Sequence, residues 1–462
     1  MVVIGGGAAA LAAAIEAARA GAEVHLLDQA PRWRAGGNTR HARNFRYAHE
    51  RPNLYTPDTY PAEQFRADVL RATGGGADLA LLDTLVSASA GLPDWLAAQG
   101  VALQRAGDGL LPYSRRTAFF LGGGMAGVQA LMDRATKLGV RIRHEVDVPA
   151  LRLEGRRVAA ALSDGGELPA GAVVLASGGA HADLGLLRRH WGAAAEGFIN
   201  RGTPHSRGEL LQWLLAQGAA PVGDPARLYL VAVDARSPAD DGGIVTRIRG
   251  MPLGIVVDRD GRRRFDEGAD TASTRYARWG QRLASYPDQT GWLILDAAGL
   301  RAAPPALYPA VQADRIVTLA DSLGIDAAGL AATVGRYNAT VRAGADPSAA
   351  GWHSVGLDPP KSAHARPIVE PPFAAYPMRP GVTFAHHGIA VDARTRVAWR
   401  DGGHLENAFA AGMIMAANLI PRGYVSGLAV TISLVFGRIA GRAAARSADQ
   451  TAGRSGAGHG PA

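Results

Sequence analysis

Residues 1–10 read MVVIGGGAAA and residues 23–28 read EVHLLD, and these two stretches decide the fold. The apolar run Met1–Ile4 predicts a strand, Ala8–Ala20 predicts a helix, and Glu23–Leu27 predicts a second strand. Three glycines form the turn between the first strand and the helix. A strand–turn–helix–strand unit of this kind opens a doubly wound sheet whose first turn binds a dinucleotide.

The turn fits the pattern G-x-G-x-x-A, which begins at Gly5 and ends at Ala10. Gly5 permits the tight turn, and Gly7 lets the backbone approach a pyrophosphate at the N-terminus of the helix, where Ala8 stands. Asp28 ends the second strand, where an acid accepts hydrogen bonds from the adenosine ribose. A glycine-rich turn alone is a weak signal, but here strand, helix and acid fall in register, so we predict a dinucleotide site.

The composition limits the chemistry that this chain can perform. Its 462 residues are 47% hydrophobic and 19% charged, which is typical of a folded protein of two domains. The net charge is +8, but the arginines are scattered, which favours anionic small molecules over nucleic acid as partners. The sequence contains no cysteine, which excludes disulfides, a thiolate nucleophile and an iron–sulphur cluster or zinc held by cysteines of this chain. We predict no metal site.

The predicted fold class is α/β, with a Rossmann-like domain interrupted by an α+β capping domain. Residues 1–225 and 361–446 are assigned to the nucleotide domain, 226–360 to the cap, and 447–462 to a disordered tail. No signal peptide is expected, and because Met1 already lies in the first strand, a start upstream of Met1 stays open. The apolar run Leu428–Phe436 is too short to span a bilayer, so a cytoplasmic location is expected.

Later glycine-rich segments favour FAD over NAD as the dinucleotide. Gly36-Gly37-Asn38-Thr39 follows the second strand, and a strand ending at Leu175 leads into Ser177-Gly178-Gly179. With Ala410-Ala411-Gly412, these segments resemble the FAD contacts of the fumarate reductase and succinate dehydrogenase flavoprotein superfamily. The resemblance implies a non-covalently bound FAD, held by Gly5, Gly7, Ala8, Asp28, Gly36, Gly37, Asn38, Thr39, Val148, Ser177, Gly178, Gly179, Gly412 and Gly427.

A narrower resemblance rests on segments 36–44, 241–247, 264–268 with 275–280, and 412–418 with 423–424 and 435–442. They are similar to FAD-dependent tricarballylate dehydrogenases and to the flavoprotein portion of an aerobic precorrin-3B synthase. The first resemblance implies oxidation of tricarballylate to cis-aconitate, with a separate membrane-bound iron–sulphur and haem protein as electron acceptor and a peripheral place at the inner membrane. The alternatives are an oxygenase component in cobalamin synthesis, another fumarate-reductase-like or steroid-type desaturase or reductase, and a non-catalytic flavin-binding protein.

Desaturation beside a carboxylate requires a proton acceptor, a hydride acceptor and cations that hold the carboxylates. Arg275 resembles the proton-transfer arginine of fumarate-reductase-like enzymes, and Glu267 or Asp270 would relay its proton. The alternative for Arg275 is a surface ion pair.

Five further residues are candidates for contact with the substrate. His41 and Arg43 follow the flavin-binding turn, and His386 and His387 stand in a segment that faces the substrate in the superfamily. Tyr424 occupies the place where fumarate reductases have a substrate-gripping arginine. The alternatives are ordering of the loop for His41 and Arg43, and plain packing for the two histidines and Tyr424.

Overall fold

A computed structural model of the chain describes residues 1–106, 116–270, 275–344 and 349–456. The chain divides into two compact units. Unit 1 comprises residues 1–186, 202–229 and 384–462, and unit 2 comprises residues 187–201 and 230–383.

The helices and strands are numbered here in chain order. The strands are β1 (Val2–Ile4), β2 (His25–Asp28), β3 (Asn44–Arg46), β4 (Thr117–Phe119), β5 (Arg141–His144), β6 (Ala150–Glu154), β7 (Arg157–Ser163), β8 (Gly166–Pro169), β9 (Val173–Leu175), β10 (Ile199–Asn200), β11 (Pro221–Asp234), β12 (Ile255–Val257), β13 (Gly291–Leu295), β14 (Val311–Ala313), β15 (Val341–Arg342), β16 (His353–Ser354), β17 (Phe373–Ile389), β18 (Arg396–Ala398) and β19 (His404–Ala410). The α-helices are α1 (Ala8–Arg19), α2 (Ala62–Thr73), α3 (Leu79–Ser89), α4 (Leu92–Ala98), α5 (Gly123–Lys137), α6 (Leu184–Trp191), α7 (Glu209–Gln217), α8 (Arg275–Ala284), α9 (Ala297–Ala302), α10 (Ile316–Leu323), α11 (Ala327–Thr340) and α12 (Leu428–Gly456).

Unit 1 is built on a six-stranded sheet in the order β18-β19-β9-β1-β2-β5. The strands from β19 to β5 run parallel, and β18 is antiparallel to β19. The central strands are buried, apolar and rich in valine and leucine, as expected when helices cover both faces of a parallel sheet. Because these strands are parallel, the turns that follow β1, β2, β9 and β19 meet at one edge of the sheet.

Helices α1 and α12 pack closely against each other beside this sheet. Eight of the twelve residues of α1 are alanine, and a Cβ added at Gly441 of α12 would lie 2.2 Å from the backbone oxygen of Ala13. Small residues on both helices therefore allow the two backbones to approach. The apolar part of α12 (Leu428–Asp449) is long enough to cross a membrane, but 78% of its apolar window is buried inside the protein, which is typical of a core helix.

Unit 2 has its own sheet, in which β17 pairs with β10, β13 and β14, and β13 pairs with β12. Helices α10 and α11 pack beside it, and a separate apolar core includes Trp292, Leu319 and Leu330. Strands and helices are thus mixed in unit 2, as the capping assignment requires.

The unit boundaries differ from the boundaries predicted from sequence. Residues 361–383 belong to unit 2 because the first half of β17 pairs with β13 and β14 there. Residues 187–201 join the same unit because β10 pairs with β17. At the other end of the chain, α12 continues to Gly456, ten residues beyond the predicted start of a disordered tail at 447, and residues 457–462 lie outside the described chain.

Candidate functional site

A cleft opens in unit 1 at the edge where the turns after β1, β2, β9 and β19 converge. Backbone-rich segments form most of its wall: 4–9, 27–30, 37–39, 146–148, 176–179, 203–210 in part, and 412–413, together with His181 and Ser433.

The glycine turn after β1 forms the floor of this cleft. Gly5 has a φ of +118°, and a Cβ there would lie 2.3 Å from the backbone oxygen of Ala176, so only glycine fits. A Cβ at Gly7 would lie 3.6 Å from the Gly36 backbone oxygen and 3.6 Å from the Thr39 hydroxyl, which is ordinary van der Waals contact at the beginning of α1. The Ala8 N–H donates to the Thr39 hydroxyl at 3.1 Å, which draws the 36–39 loop over the N-terminus of α1.

Asp28, at the end of β2, is a buried carboxylate that is only partly satisfied by the protein. It is 5% exposed, and its Oδ1 accepts a hydrogen bond of 3.3 Å from the Ala30 N–H. Its Oδ2 is buried and has no hydrogen-bond partner among the described residues. Burial raises the pKa of Asp28 to about 6, against the weaker opposing effect of the Ala30 N–H. A ligand hydroxyl that donates to Oδ2 would satisfy this oxygen.

Most residues predicted to hold the cofactor line the cleft. They are Gly5, Gly7, Ala8, Asp28, Gly37, Asn38, Thr39, Val148, Ser177, Gly178, Gly179 and Gly412. Gly36 and Gly427 were also predicted to hold the cofactor, but neither belongs to the lining. A Cβ at Gly36 would lie 2.8 Å from Val128, and one at Gly427 would lie 2.8 Å from the Arg46 nitrogen, so both glycines permit close packing instead.

The sequence analysis missed several residues of the wall, among them His181, Thr203, Ser206 and Ser433. His181 follows the Ser177-Gly178-Gly179 turn by two residues, and that proximity was the signal that could have identified it. Thr203 and Ser206 lie in a loop that returns to unit 1 after β10, which no local pattern indicates.

Five predicted substrate contacts lie in unit 1. His386 and His387 are consecutive on β17, so their side chains leave opposite faces of the strand and do not act as a pair. The His386 Nδ1 lies 2.7 Å from the backbone oxygen of Ile420, and burial lowers the pKa of this histidine. The Tyr424 hydroxyl accepts a hydrogen bond from the Ala429 N–H, at 3.4 Å, near the start of α12.

The remaining two, His41 and Arg43, lie at the end of the 37–41 turn and just beyond it. The Arg43 guanidinium lies 5.8 Å from the ring centre of Phe119.

Tyr424 also belongs to an aromatic cluster in unit 1. Its ring centre lies 4.8 Å from that of Tyr229 and 5.4 Å from that of Phe384. The Phe384 ring in turn meets the edge of His386 at 5.2 Å. The structure thus brings Tyr424 and His386 into one cluster through Phe384.

In unit 2 the two predicted proton-relay acids have different surroundings. Glu267 is fully buried, and Arg263 binds both of its oxygens, with an Nε–Oε1 distance of 3.1 Å. Its Oε1 also accepts a hydrogen bond of 2.8 Å from the Val256 N–H. This saturated carboxylate is part of the unit 2 core, so the geometry does not support the relay through Glu267.

Asp270 is instead the acid that interacts with Arg275. Burial lowers the pKa of Arg275, Asp270 opposes that shift, and Arg249 adds to it. The Arg275 Nε donates to the backbone oxygen of Arg249 at 3.1 Å. Asp270 also forms an ion pair of 3.2 Å with Arg278, one turn further along α8.

His364 completes a group that we call the cationic cluster, consisting of Arg249, Arg275 and His364. Burial lowers the pKa of His364, and the positive charges of Lys361 and Arg275 lower it further. Its Nδ1 is buried and has no hydrogen-bond partner among the described residues. Arg249 and His364 thus each interact with Arg275 in unit 2, so an anion bound there would meet two arginine charges and a histidine that can donate a hydrogen bond.

Comparison with known proteins identifies the class of protein. The model of the family described as FAD binding domain matches residues 1–421, so the chain belongs to this family. It is a flavoprotein of the fumarate reductase and succinate dehydrogenase superfamily and an FAD-dependent oxidoreductase that acts on CH–CH bonds. The cleft fits FAD, since the Asp28 Oδ2, which has no hydrogen-bond partner among the described residues, suits a ribose hydroxyl, and the glycine turn at the beginning of α1 suits a phosphate.

Three relatives illustrate the range of the family. The chain is 25% identical over 494 residues to digoxin reductase of Eggerthella lenta, covering 95% of this chain and 86% of the relative. It is 26% identical over 460 residues to fumarate reductase (cytochrome) of Shewanella frigidimarina, and the match covers 95% of this chain and 76% of the relative. It is 27% identical over 317 residues to NADH:acrylate oxidoreductase of Vibrio harveyi. That match covers 66% of this chain and 29% of the longer relative.

A solved structure shows the same fold. The open conformation of a flavocytochrome c3 fumarate reductase superposes with a TM-score of 0.77 at 23% identity, over 97% of this chain and 78% of the other. The predicted α/β flavoprotein fold is confirmed.

Proposed function

We propose that this flavoprotein oxidises a small polycarboxylate, and that tricarballylate, giving cis-aconitate, is the first substrate to test. The observation that carries the proposal is the cationic cluster of unit 2. Arg249, Arg275 and His364 interact, and Asp270 is the acid that acts on Arg275. Arginine forks bind carboxylates through two parallel charge-assisted hydrogen bonds, so a carboxylate-bearing substrate would relieve the repulsion within the cluster.

The oxidation removes a proton from the carbon beside a carboxylate and a hydride from the neighbouring carbon. When bound, FAD supplies the hydride acceptor. The chain supplies the rest: Arg249 and His364 hold carboxylates, and Arg275 takes the proton and exchanges it with Asp270. The lowered pKa of Arg275 suits this role, because a guanidinium of ordinary pKa releases its proton too reluctantly to act as a base.

The electrons must then leave the protein. The chain contains no cysteine, so it cannot itself hold an iron–sulphur cluster through thiolates. We therefore propose a separate electron-transfer protein, an iron–sulphur and haem protein of the membrane, as the acceptor.

A second candidate function rests on the aromatic cluster of unit 1. Tyr229, Phe384 and Tyr424 pack as one group of rings in which Phe384 is buried and the two tyrosines are partly buried, and aromatic rings suit a neutral, flat substrate such as a steroid-like enone. Digoxin reductase, to which the chain is similar over 95% of its length, reduces digoxin according to its name.

Anaerobic absorbance spectroscopy of the purified holoprotein distinguishes the two candidates. Tricarballylate, and at least one other di- or tricarboxylate, should bleach the flavin absorbance. Arg275→Gln should slow this bleaching by about 100-fold or more, because it removes both charge and proton exchange. The matched control is Arg301→Gln, since Arg301 pairs with Glu370 at the surface of unit 2.

The same assay in reverse tests the rival. Two results together would favour the second candidate over the polycarboxylate proposal. A steroid-like enone would reoxidise the reduced holoprotein, and no polycarboxylate would bleach the oxidised form. Bleaching by polycarboxylates that is equally fast in Arg275→Gln would remove Arg275 from the mechanism.

A further inference from the structure

His181 is a buried histidine in the wall of the FAD cleft whose role no family pattern indicates. It is 2% exposed and follows the glycine turn after β9. Its Nε2 lies 3.1 Å from the side-chain nitrogen of Asn38, in the loop that covers the start of α1. The two residues are 143 positions apart in sequence, so only the folded sheet edge brings them together.

The hydrogen bonds around Asn38 fix the location of the histidine proton. The Asn38 Oδ1 accepts a hydrogen bond of 2.9 Å from the Thr203 N–H, which sets the orientation of the amide. The amide nitrogen therefore faces His181 and donates to Nε2, because an amide NH₂ is a donor only. A neutral imidazole that accepts at Nε2 must carry its proton on Nδ1. Burial lowers the pKa of His181 to about 4, so the ring is neutral at physiological pH.

The Nδ1 of His181 has no hydrogen-bond partner among the described residues, although it is buried. A buried donor without a partner is costly, and native proteins rarely retain one unless a ligand or a bound water satisfies it. We propose that the His181 Nδ1–H donates a hydrogen bond to an acceptor atom of bound FAD, and that Asn38 is the positioning residue that keeps the proton on Nδ1. This inference concerns the cofactor and does not depend on the proposed substrate.

The dissociation constant of FAD, measured by titrating the apoprotein while following flavin fluorescence, tests the contact. His181→Leu removes the donor and should weaken FAD binding about 5- to 10-fold, the usual effect of one neutral hydrogen bond. In His181→Asn the amide nitrogen can occupy the place of Nδ1, so the affinity should largely recover. His190→Leu is the matched control, because His190 is an exposed residue of α6.

Thermal unfolding separates a cofactor contact from a purely structural role. Removing an unpartnered buried donor gains stability, whereas losing the acceptor of the Asn38 amide costs it, so the apoprotein of His181→Leu should unfold close to the temperature of the parent. The rise in unfolding temperature on adding FAD should then be smaller than in the parent. A fall in apoprotein stability with an unchanged FAD dissociation constant would overturn the proposal.

Two further measurements sharpen it. Titration with ADP locates the acceptor atom. If His181→Leu leaves the affinity for ADP unchanged, the acceptor lies in the flavin half of FAD, and if the affinities for ADP and FAD fall equally, it lies in the ADP half.

Nitrogen-15 NMR of the imidazoles in the apoprotein reports the tautomer of His181 directly. A His181 proton found on Nε2, or an FAD affinity that is the same in His181→Leu and the parent, contradicts the inference.

Discussion

Asp28 in unit 1 and Glu267 in unit 2 are both buried carboxylates, with 5% and 0% exposure, but their surroundings are opposite. Glu267 is saturated by Arg263 and the Val256 N–H. Asp28 has one weak contact at Oδ1, and its Oδ2 has no hydrogen-bond partner among the described residues. A buried carboxylate whose oxygens all have partners stabilises the fold. A buried carboxylate that lacks partners lowers stability, and its retention indicates a ligand.

The same contrast extends to the neighbouring polar groups. Beside Glu267, the Lys361 ammonium is fully buried and donates to the backbone oxygens of Pro252 and Gly254. At the FAD cleft, His181 retains a buried nitrogen without a hydrogen-bond partner among the described residues. The buried polar groups around Glu267 thus complete one another, whereas Asp28 and His181 at the cleft each keep one buried atom without a hydrogen-bond partner among the described residues.

The largest effect is expected for Glu267→Gln. This change leaves the Arg263 charge buried and unpaired, and it should lower the free energy of unfolding by about 3–5 kcal/mol. Chemical denaturation of the apoprotein, followed by circular dichroism, measures the change. If the loss were no larger than for a surface pair, Glu267 would not be the structural centre that the geometry indicates.

Asp28→Asn should have the opposite effect on the apoprotein. Burial raises the pKa of Asp28 from 3.8 to about 6, so the folded carboxyl keeps its proton in a pH range where the unfolded one has lost it. The free energy of unfolding should therefore fall by up to about 3 kcal/mol as the pH rises from about 4 to about 6. Removing the charge should restore that amount at pH 7 and change nothing at pH 4.

FAD binding gives the other half of this prediction. The same Asp28→Asn variant should bind FAD at least about tenfold more weakly, since a neutral amide is a poorer acceptor for ribose hydroxyls. Asp164→Asn, on an exposed turn, serves as the control. A variant that gains no stability at pH 7, or that binds FAD as tightly as the parent, would end the comparison between the two carboxylates.

Gly7→Ala should alter binding without altering the fold. An added Cβ would meet no protein atom within 3.6 Å, so the apoprotein should unfold at nearly the same temperature. The methyl group would occupy space next to the start of α1 where the pyrophosphate binds, and FAD affinity should fall by roughly tenfold. Gly335→Ala in α11 is the matched control, with open space around it and no cofactor nearby. An unchanged affinity in Gly7→Ala would mean that the phosphate lies elsewhere.

Glu370→Gln is expected to have the smallest effect. Glu370 pairs with Arg301 through two hydrogen bonds, and these bonds lower its pKa, but both side chains are exposed. Solvent screening makes such a pair weak, so the unfolding temperature should not change measurably. A clear fall in the unfolding temperature of Glu370→Gln would show that pairing of a carboxylate stabilises this protein even at the surface.

The sequence predicted the opening of unit 1 well because its signals are local. Helix α1 ends at Arg19, one residue before the prediction, and β2 ends at Asp28. Residues 79–98 form two helices, since the chain breaks at Ala90 and Gly91 between α3 and α4. The roles of Gly427 and Glu267 could not be predicted, because each depends on a partner distant in space, β3 for the glycine and Arg263 within the unit 2 core for the acid.

By itself the sequence determined the dinucleotide fold, because a glycine turn, the helix behind it and the acid that follows lie within 28 consecutive residues. Its later glycine-rich segments, through their resemblance to known FAD contacts, indicated FAD and most of the cleft. Only the tertiary structure decided which buried polar groups are satisfied. It left Asp28 without a full set of donors, completed Glu267, and fixed the proton of His181 through Asn38 and Thr203. The reason is physical: satisfaction of a buried group depends on partners that the fold brings together from distant parts of the chain.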